Sequence, residues 1–587
     1  MHGLGLRWMP VGPMMTRPLR IGLLAGAVAA AGLHPLAEGS AAVIQDHHDH
    51  EHHDHGDPSG GHVMPPMPDM PMLPGLMDEV PPVSAWLPEF VHDPAHFPEA
   101  RPSETVHMAD GDTLDLVAAP VRRDVNGEQH LMYGYNEQYP GPFIQAEEGA
   151  TIMVRVRNEV DWNTTVHWHG IRIENRFDGV PGLTQAPIEP GETFLYEVDV
   201  PDEGMFWYHP HHRSDVQQDL GLYGNLLVRP RPEEREEHRY HREELLTLDD
   251  LLLTDDGELV PYGEESPTHA LMGRFGTTML VNGSTDHRME VDEGEVIRFY
   301  ITNVASARTF NVRFGDADVK LVGSDLGAYE EEQDVESVVI APAERYVVDV
   351  RFPESGEQAI TNTVQAIDKF RGEFFFREDT LSVVDVGPER ASPDLAEEHR
   401  EHLRRADVVD DIDDVRRYLD REPDHELTAT IRARDLPPEI SIIMEADSFY
   451  HPPVEWNDPM PMMNWLATGE QVEWVLEESG TGRQNEEIHW SYEVGDVVMI
   501  RIVNDPGTFH PMNHPIHVHG QRFLVARRDG VPQDNLVWKD TANLPTGHSM
   551  DILVEMSNPG EWMLHCHNNE HLSSGMHMHF TVEEADR

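Results

Sequence analysis

A single cysteine, Cys566, stands in a chain of 587 residues, so no disulfide can form within it. Basic residues are scarce as well: Lys and Arg number 43 against 107 Asp and Glu, a formal charge of −64. A field that acidic repels phosphate and excludes nucleic acid as a natural partner. It favours cations as ligands, or a salty habitat in which a solvated acidic surface keeps the protein soluble. A long apolar span is missing too. Residues 21–33 (IGLLAGAVAAAGL) are uncharged for only 13 positions, short of the about 20 that cross a bilayer, so no stable membrane span is expected. The apolar fraction is a modest 39%, yet 11 Trp, 14 Tyr and 19 Phe can build cores, which excludes a wholly disordered chain.

What is abundant is metal-ligand chemistry: 37 His and 27 Met. The apolar run follows Arg17 and Arg20 and precedes the small residues Gly39-Ser40-Ala41-Ala42. That layout predicts a secretory signal over 1–42, cut near Ala41, and export to the periplasm or the extracellular space. The two arginines are not adjacent, so a twin-arginine signal is not supported, and Met14 or Met15 would give a leader of ordinary length. Residues 46–57 (DHHDHEHHDHGD) and then Met64, Met67, Met70, Met72 and Met77 among prolines lie in a segment, 43–99, expected to be a mobile arm. Imidazole and thioether suit copper in its two oxidation states, so the arm either gathers copper or serves as a solubilising tail.

The body repeats itself. Residues 149–158 (GATIMVRVRN), 294–303 (GEVIRFYITN) and 495–504 (GDVVMIRIVN) share one spacing from glycine to asparagine. A second echo follows in each copy: 190–198 (PGETFLYEV), 342–350 (PAERYVVDV) and, with one extra residue, 545–554 (PTGHSMDILV). Strand-like runs with Gly and Pro turns at short intervals predict an all-β chain of three β-sandwiches over 100–232, 240–388 and 425–587. Between the second and third, 389–424 reads as a charged helical connector with a solvated face.

The chemistry concentrates in copies one and three. His167-Trp168-His169, His209-Pro210-His211, His517-Val518-His519 and His565-Cys566-His567 are four His-x-His pairs, and copy two has none. Residues two apart on a strand share a face. Eight imidazoles can therefore converge where copies one and three meet, with copy two as a spacer. Cys566 lies between His565 and His567 and points to the opposite face, and the odd offset of His514 from His517 turns it away as well. His571 and Met576 follow the cysteine in steps of five, as a loop returning to one ion. Two His, a thiolate and a weak axial Met make a blue-copper set. Cys566 is bonded through the chain to His565 and His567, so an electron arriving there has a path of a few bonds to the eight-histidine cluster.

These motifs resemble those of the multicopper oxidases, which include laccases, ascorbate oxidases and bacterial cuprous oxidases; the likeness covers about residues 130–587. The resemblance implies three cupredoxin-like Greek-key domains and four copper ions. The type 1 ion would take His514, Cys566, His571 and Met576. The type 2 ion would take His167 and His517. One type 3 ion would take His169, His209 and His567, the other His211, His519 and His565. The implied reaction oxidises a reducing substrate and reduces dioxygen by four electrons to water, with a phenol, an aromatic amine or Cu(I) as donor, in a protein expected to act as a monomer. Asp178 stands where relatives carry an aspartate near the cluster, and is expected to relay protons. Glu570 is a second candidate acid; bacterial relatives place an acid where this chain has Leu572. Met512 matches a methionine of the cuprous oxidases, with His510 in place of their acid, and Met460, Met462 and Met463 could line the same entrance for Cu(I). A nitrite reductase lacks the paired histidines around the cysteine, and a sequestering protein would need no complete ligand set.

Overall fold

The computed structural model describes residues 76, 80–88, 96–231, 239–368, 373–447 and 461–585. The expected leader and, but for Leu76, the His/Met-rich stretch 46–77 lie outside the described residues. Part of the segment expected to be a mobile arm is anchored. The strand Ala85–Trp86 pairs with Tyr262–Gly263. The ring of Trp86 lies 4.5 Å from that of Trp162, and Leu76 and Val83 are buried. Apolar side chains inside that segment pin it to the body.

Three two-sheet sandwiches follow one another, with sheets of five and four strands in the first and of six and five in each of the others. The repeated glycine-to-asparagine motif is the same strand in each: Thr151–Asn158, Val296–Asn303 and Val497–Asn504. Each pairs parallel with an early strand of its copy and antiparallel with the strand of the second echo, Thr193–Asp199, Arg345–Arg351 or Ser549–Glu555. The shared asparagine has a physical reason. Asn158, Asn303 and Asn504 are fully buried, and each Nδ2 donates to two backbone carbonyls. For Asn504 these belong to Met512 and Leu544, so its amide latches the chain that leads into His514.

Residues 389–424 carry two short helices, Ala396–Arg400 and Ala406–Arg416. The second packs onto the body: Arg416 pairs with Glu330, and Asp411 accepts from Trp538 Nε1 and pairs with Arg522. Among the described residues no helix is long and apolar enough to cross a membrane.

Candidate metal centre

Strand register places the histidines. His167 sits opposite His209, and His517 opposite His565. Directly opposed residues share a face, so these pairs point together. His169, His211, His519 and His567 extend the same faces, and none of the eight is more than 9% exposed. Ile516 is the partner of Cys566, so the thiol points to the other face, into the core of the third sandwich.

Most of the far ring nitrogens are taken. His167 Nδ1 donates to the carbonyl of Asp178 at 2.7 Å. His517 Nδ1 donates to the carbonyl of Asp540 at 2.8 Å, and His565 Nδ1 to that of Cys566 at 2.8 Å. His519 Nδ1 donates to Asp178 Oδ2 at 2.9 Å. His169 is turned the other way round: its Nε2 meets Asp540 Oδ1 at 3.1 Å and Thr541 Oγ1 at 2.9 Å. These bonds fix the tautomers and leave lone pairs facing inward. His519 Nε2 and His565 Nε2 are then two acceptors 3.0 Å apart, and His209 Nε2 and His169 Nδ1 lie 3.4 Å apart. His167 Nε2, His211 Nε2, His517 Nε2 and both nitrogens of His567 are buried without hydrogen-bond partners. Facing lone pairs in a dry site are costly, and cations between them remove the cost. Burial and the neighbouring imidazoles push the His169, His209, His517 and His519 pKa values well down, and His211 down to about 3. These five rings stay neutral, the form that binds metal. The residues fit a group of copper ions.

A second group lies on the cysteine side. Cys566 Sγ is 3.5 Å from His514 Nδ1 and 3.7 Å from His571 Nδ1. His571 arrives on a short helix, Asn569–Ser573, where a loop was expected. The amide of Met576 bonds the carbonyl of His571, and the amide of Cys566 that of Met576, which brings the fully buried methionine beside the thiol. Trp474 stacks on His571 with ring centroids 4.0 Å apart. Burial raises the Cys566 thiol pKa and lowers that of His514 to about 3. Neutral imidazoles and a thiol that only a metal would deprotonate suit a soft copper site.

Asp178 is completely buried between His167 and His519. It also closes a turn: Gly179 has φ +85°, and a Cβ there would meet the carbonyl of Val166 at 2.0 Å. Glu570 is buried, but neither oxygen has a hydrogen-bond partner. Burial, then Asp215 and Asp219, push its pKa well up. Met512 and His510 are fully buried, and Met512 packs in the core. Met460 lies outside the described residues, and Met462 and Met463 belong to the helix Pro461–Leu466.

The middle sandwich is more than the expected spacer. Its Arg345, fully buried, grips both oxygens of Asp540, with Nη1 to Oδ1 at 2.7 Å. Asp540 in turn holds His169 and, through its carbonyl, His517. Sequence spacing gave no sign of Asp540 or Thr541. For Arg345 a sign existed: the second echo has a cation there, where copy one has Thr193.

Models of the multicopper oxidase family match residues 118–233, 243–373 and 443–586. The chain is 27% identical over 497 residues to the multicopper oxidase MmcO of Mycobacterium tuberculosis, covering 79% of this chain and 86% of that one. It is 25% identical to the copper resistance protein A homolog of Pseudomonas syringae pv. tomato, covering 81% and 93%. Among solved structures, a multicopper oxidase of Campylobacter jejuni described as a metallo-oxidase superposes with a TM-score of 0.62 at 22% identity, covering 84% of this chain and 97% of that one.

Proposed function

The chain belongs to the multicopper oxidase family, an oxidoreductase that uses copper, dioxygen and a reducing substrate, and on that premise we propose how its residues divide the work. His514, Cys566, His571 and Met576 hold a type 1 copper. His167 and His517 hold a type 2 copper. His169, His209 and His567 hold one type 3 copper, and His211, His519 and His565 the other. When bound, these ions would supply one-electron oxidation of the donor and the four-electron reduction of dioxygen to water. One observation carries the reading: His565-Cys566-His567 is a single tripeptide whose sulfur faces one ligand group and whose imidazoles face the other.

The rest of the chain positions and protonates. Asp178 anchors His167 and His519 and stands within the cluster wall, where a carboxylate can pass protons towards dioxygen. Glu570 lies towards Asp215 and Asp219, whereas Asp178 bonds two of the imidazoles directly, so the relay is assigned to Asp178. The domain limits are read as 100–232, 240–388 and 425–587, a division supported by the strand repeated once in each copy. Export as a periplasmic or extracellular protein rests on the leader composition. The acidity is read as solvation in concentrated salt, which a salt series on activity tests.

The donor is Cu(I) or a phenol. Burial of Met512 favours packing for that residue, so a Cu(I) donor would depend on the methionines of 460–463. Steady-state oxidation of Cu(I), Fe(II) and a phenol on one fully loaded preparation decides: a preference for Cu(I) supports the metal donor, and oxidation of the phenol alone removes it.

A further inference from the structure

His577 and His579 form another His-x-His pair, outside both metal centres. The strand His577–Glu583 runs antiparallel to Gly560–Cys566, with His577 opposite His565 and His579 opposite Met563. On its other side it runs parallel to His489–Glu493, with His579 beside His489. Paired residues share a face, so a line of imidazoles leads from His565 through His577 and His579 to His489. The rings of His577 and His579 are 5.7 Å apart. His577 Nδ1 and His579 Nε2 are buried without hydrogen-bond partners, a state that costs free energy unless something binds there. Glu486 adds a carboxylate, with Oε1 at 3.2 Å from His577 Nε2. His489 and Glu486 are exposed.

Three imidazoles borne on two paired strands and one carboxylate are a donor set for a borderline divalent cation. We propose that His577, His579, His489 and Glu486 form an accessory site for such a cation, Cu(II) foremost, one strand out from His565. The donors do not yet converge on one point; rotation of the exposed His489 and Glu486 side chains closes the site over the strand-borne pair.

Zn(II) is the probe, because it is colourless and leaves the blue band readable. Added to the copper-loaded full chain, Zn(II), and Cu(II) likewise, should protect His489 from carbethoxylation by diethyl pyrocarbonate, read by peptide mass spectrometry. The variant His579→Ala should lose that protection and bind one equivalent fewer, with the blue band unchanged. Should that variant not fold, Glu486→Gln, at an exposed position, should weaken protection at the same Zn(II) concentration. Modification of His489 at one rate with and without either ion overturns the proposal, as does protection that survives in whichever variant folds.

Discussion

Asp178 touches two of the proposed ligands, from different sandwiches: its carbonyl accepts a hydrogen bond from His167 Nδ1 and its carboxylate one from His519 Nδ1. Asn at this position keeps both acceptors and loses the acid. Asp178→Asn should therefore retain its coppers and its blue colour, while turnover falls by about ten- to hundredfold. Oxygen uptake across pH is the check; unchanged turnover removes the relay. Another carboxyl, Asp249, is buried beneath the hydroxyls of Tyr139 and Tyr223. Burial raises its pKa from 3.8 to about 8. The folded state thus holds its proton more tightly than the unfolded one, so its contribution is full below 3.8, falls as pH rises towards about 8 and is flat above that. Asp249→Asn should raise the melting temperature at pH 8 and leave it nearly unchanged near pH 3. At this scale the sequence was most readable where chemistry repeats with a short period: the His-x-His pairs and the lone cysteine announce themselves. Asp540 does not, and Arg345 shows only as a cation in the second echo, because the two meet across 195 residues and no local spacing records the pair.

Elements set how closely these groups approach. The strand His167–His169 is three residues long and ends at Gly170, whose φ is +86°. A Cβ there would come within 2.1 Å of Asp540 Oδ2 and 2.9 Å of Arg345 Nη2. Gly170→Ala should push Asp540 off His169 and lower copper content at the type 3 pair, measured as copper per chain and as loss of oxygen uptake. Glycine-to-asparagine strands were legible because their alternation and turn residues are local. The helix that delivers His571 looks like a loop in the sequence, since five residues are too few for a helical period to show. The short strand Ala85–Trp86 was missed for a similar reason: two residues of pairing depend on partners in the second sandwich.

At the scale of the whole molecule, three copies of one sandwich build a centre that none holds alone. The triplication was plain in the sequence, but the docking of the copies was not, because contacts between domains carry no periodicity. The sequence alone therefore makes the middle copy a spacer, although its Arg345 neutralises Asp540 beside the clustered histidines. Arg345→Met leaves that carboxylate buried and unpaired, which should cost about 3–5 kcal/mol, seen as a lower unfolding midpoint together with weaker copper retention. An unchanged midpoint would return the middle copy to a passive role. The central claim is that one sulfur joins the two metal groups. The direct measurement compares fully copper-loaded protein with its Cys566→Ser variant, by visible spectrum and donor-driven oxygen uptake. The account predicts that the intense red-end band and the uptake vanish together, while the eight imidazoles still hold copper; a serine variant that consumes oxygen with the donor as fast as the parent contradicts it.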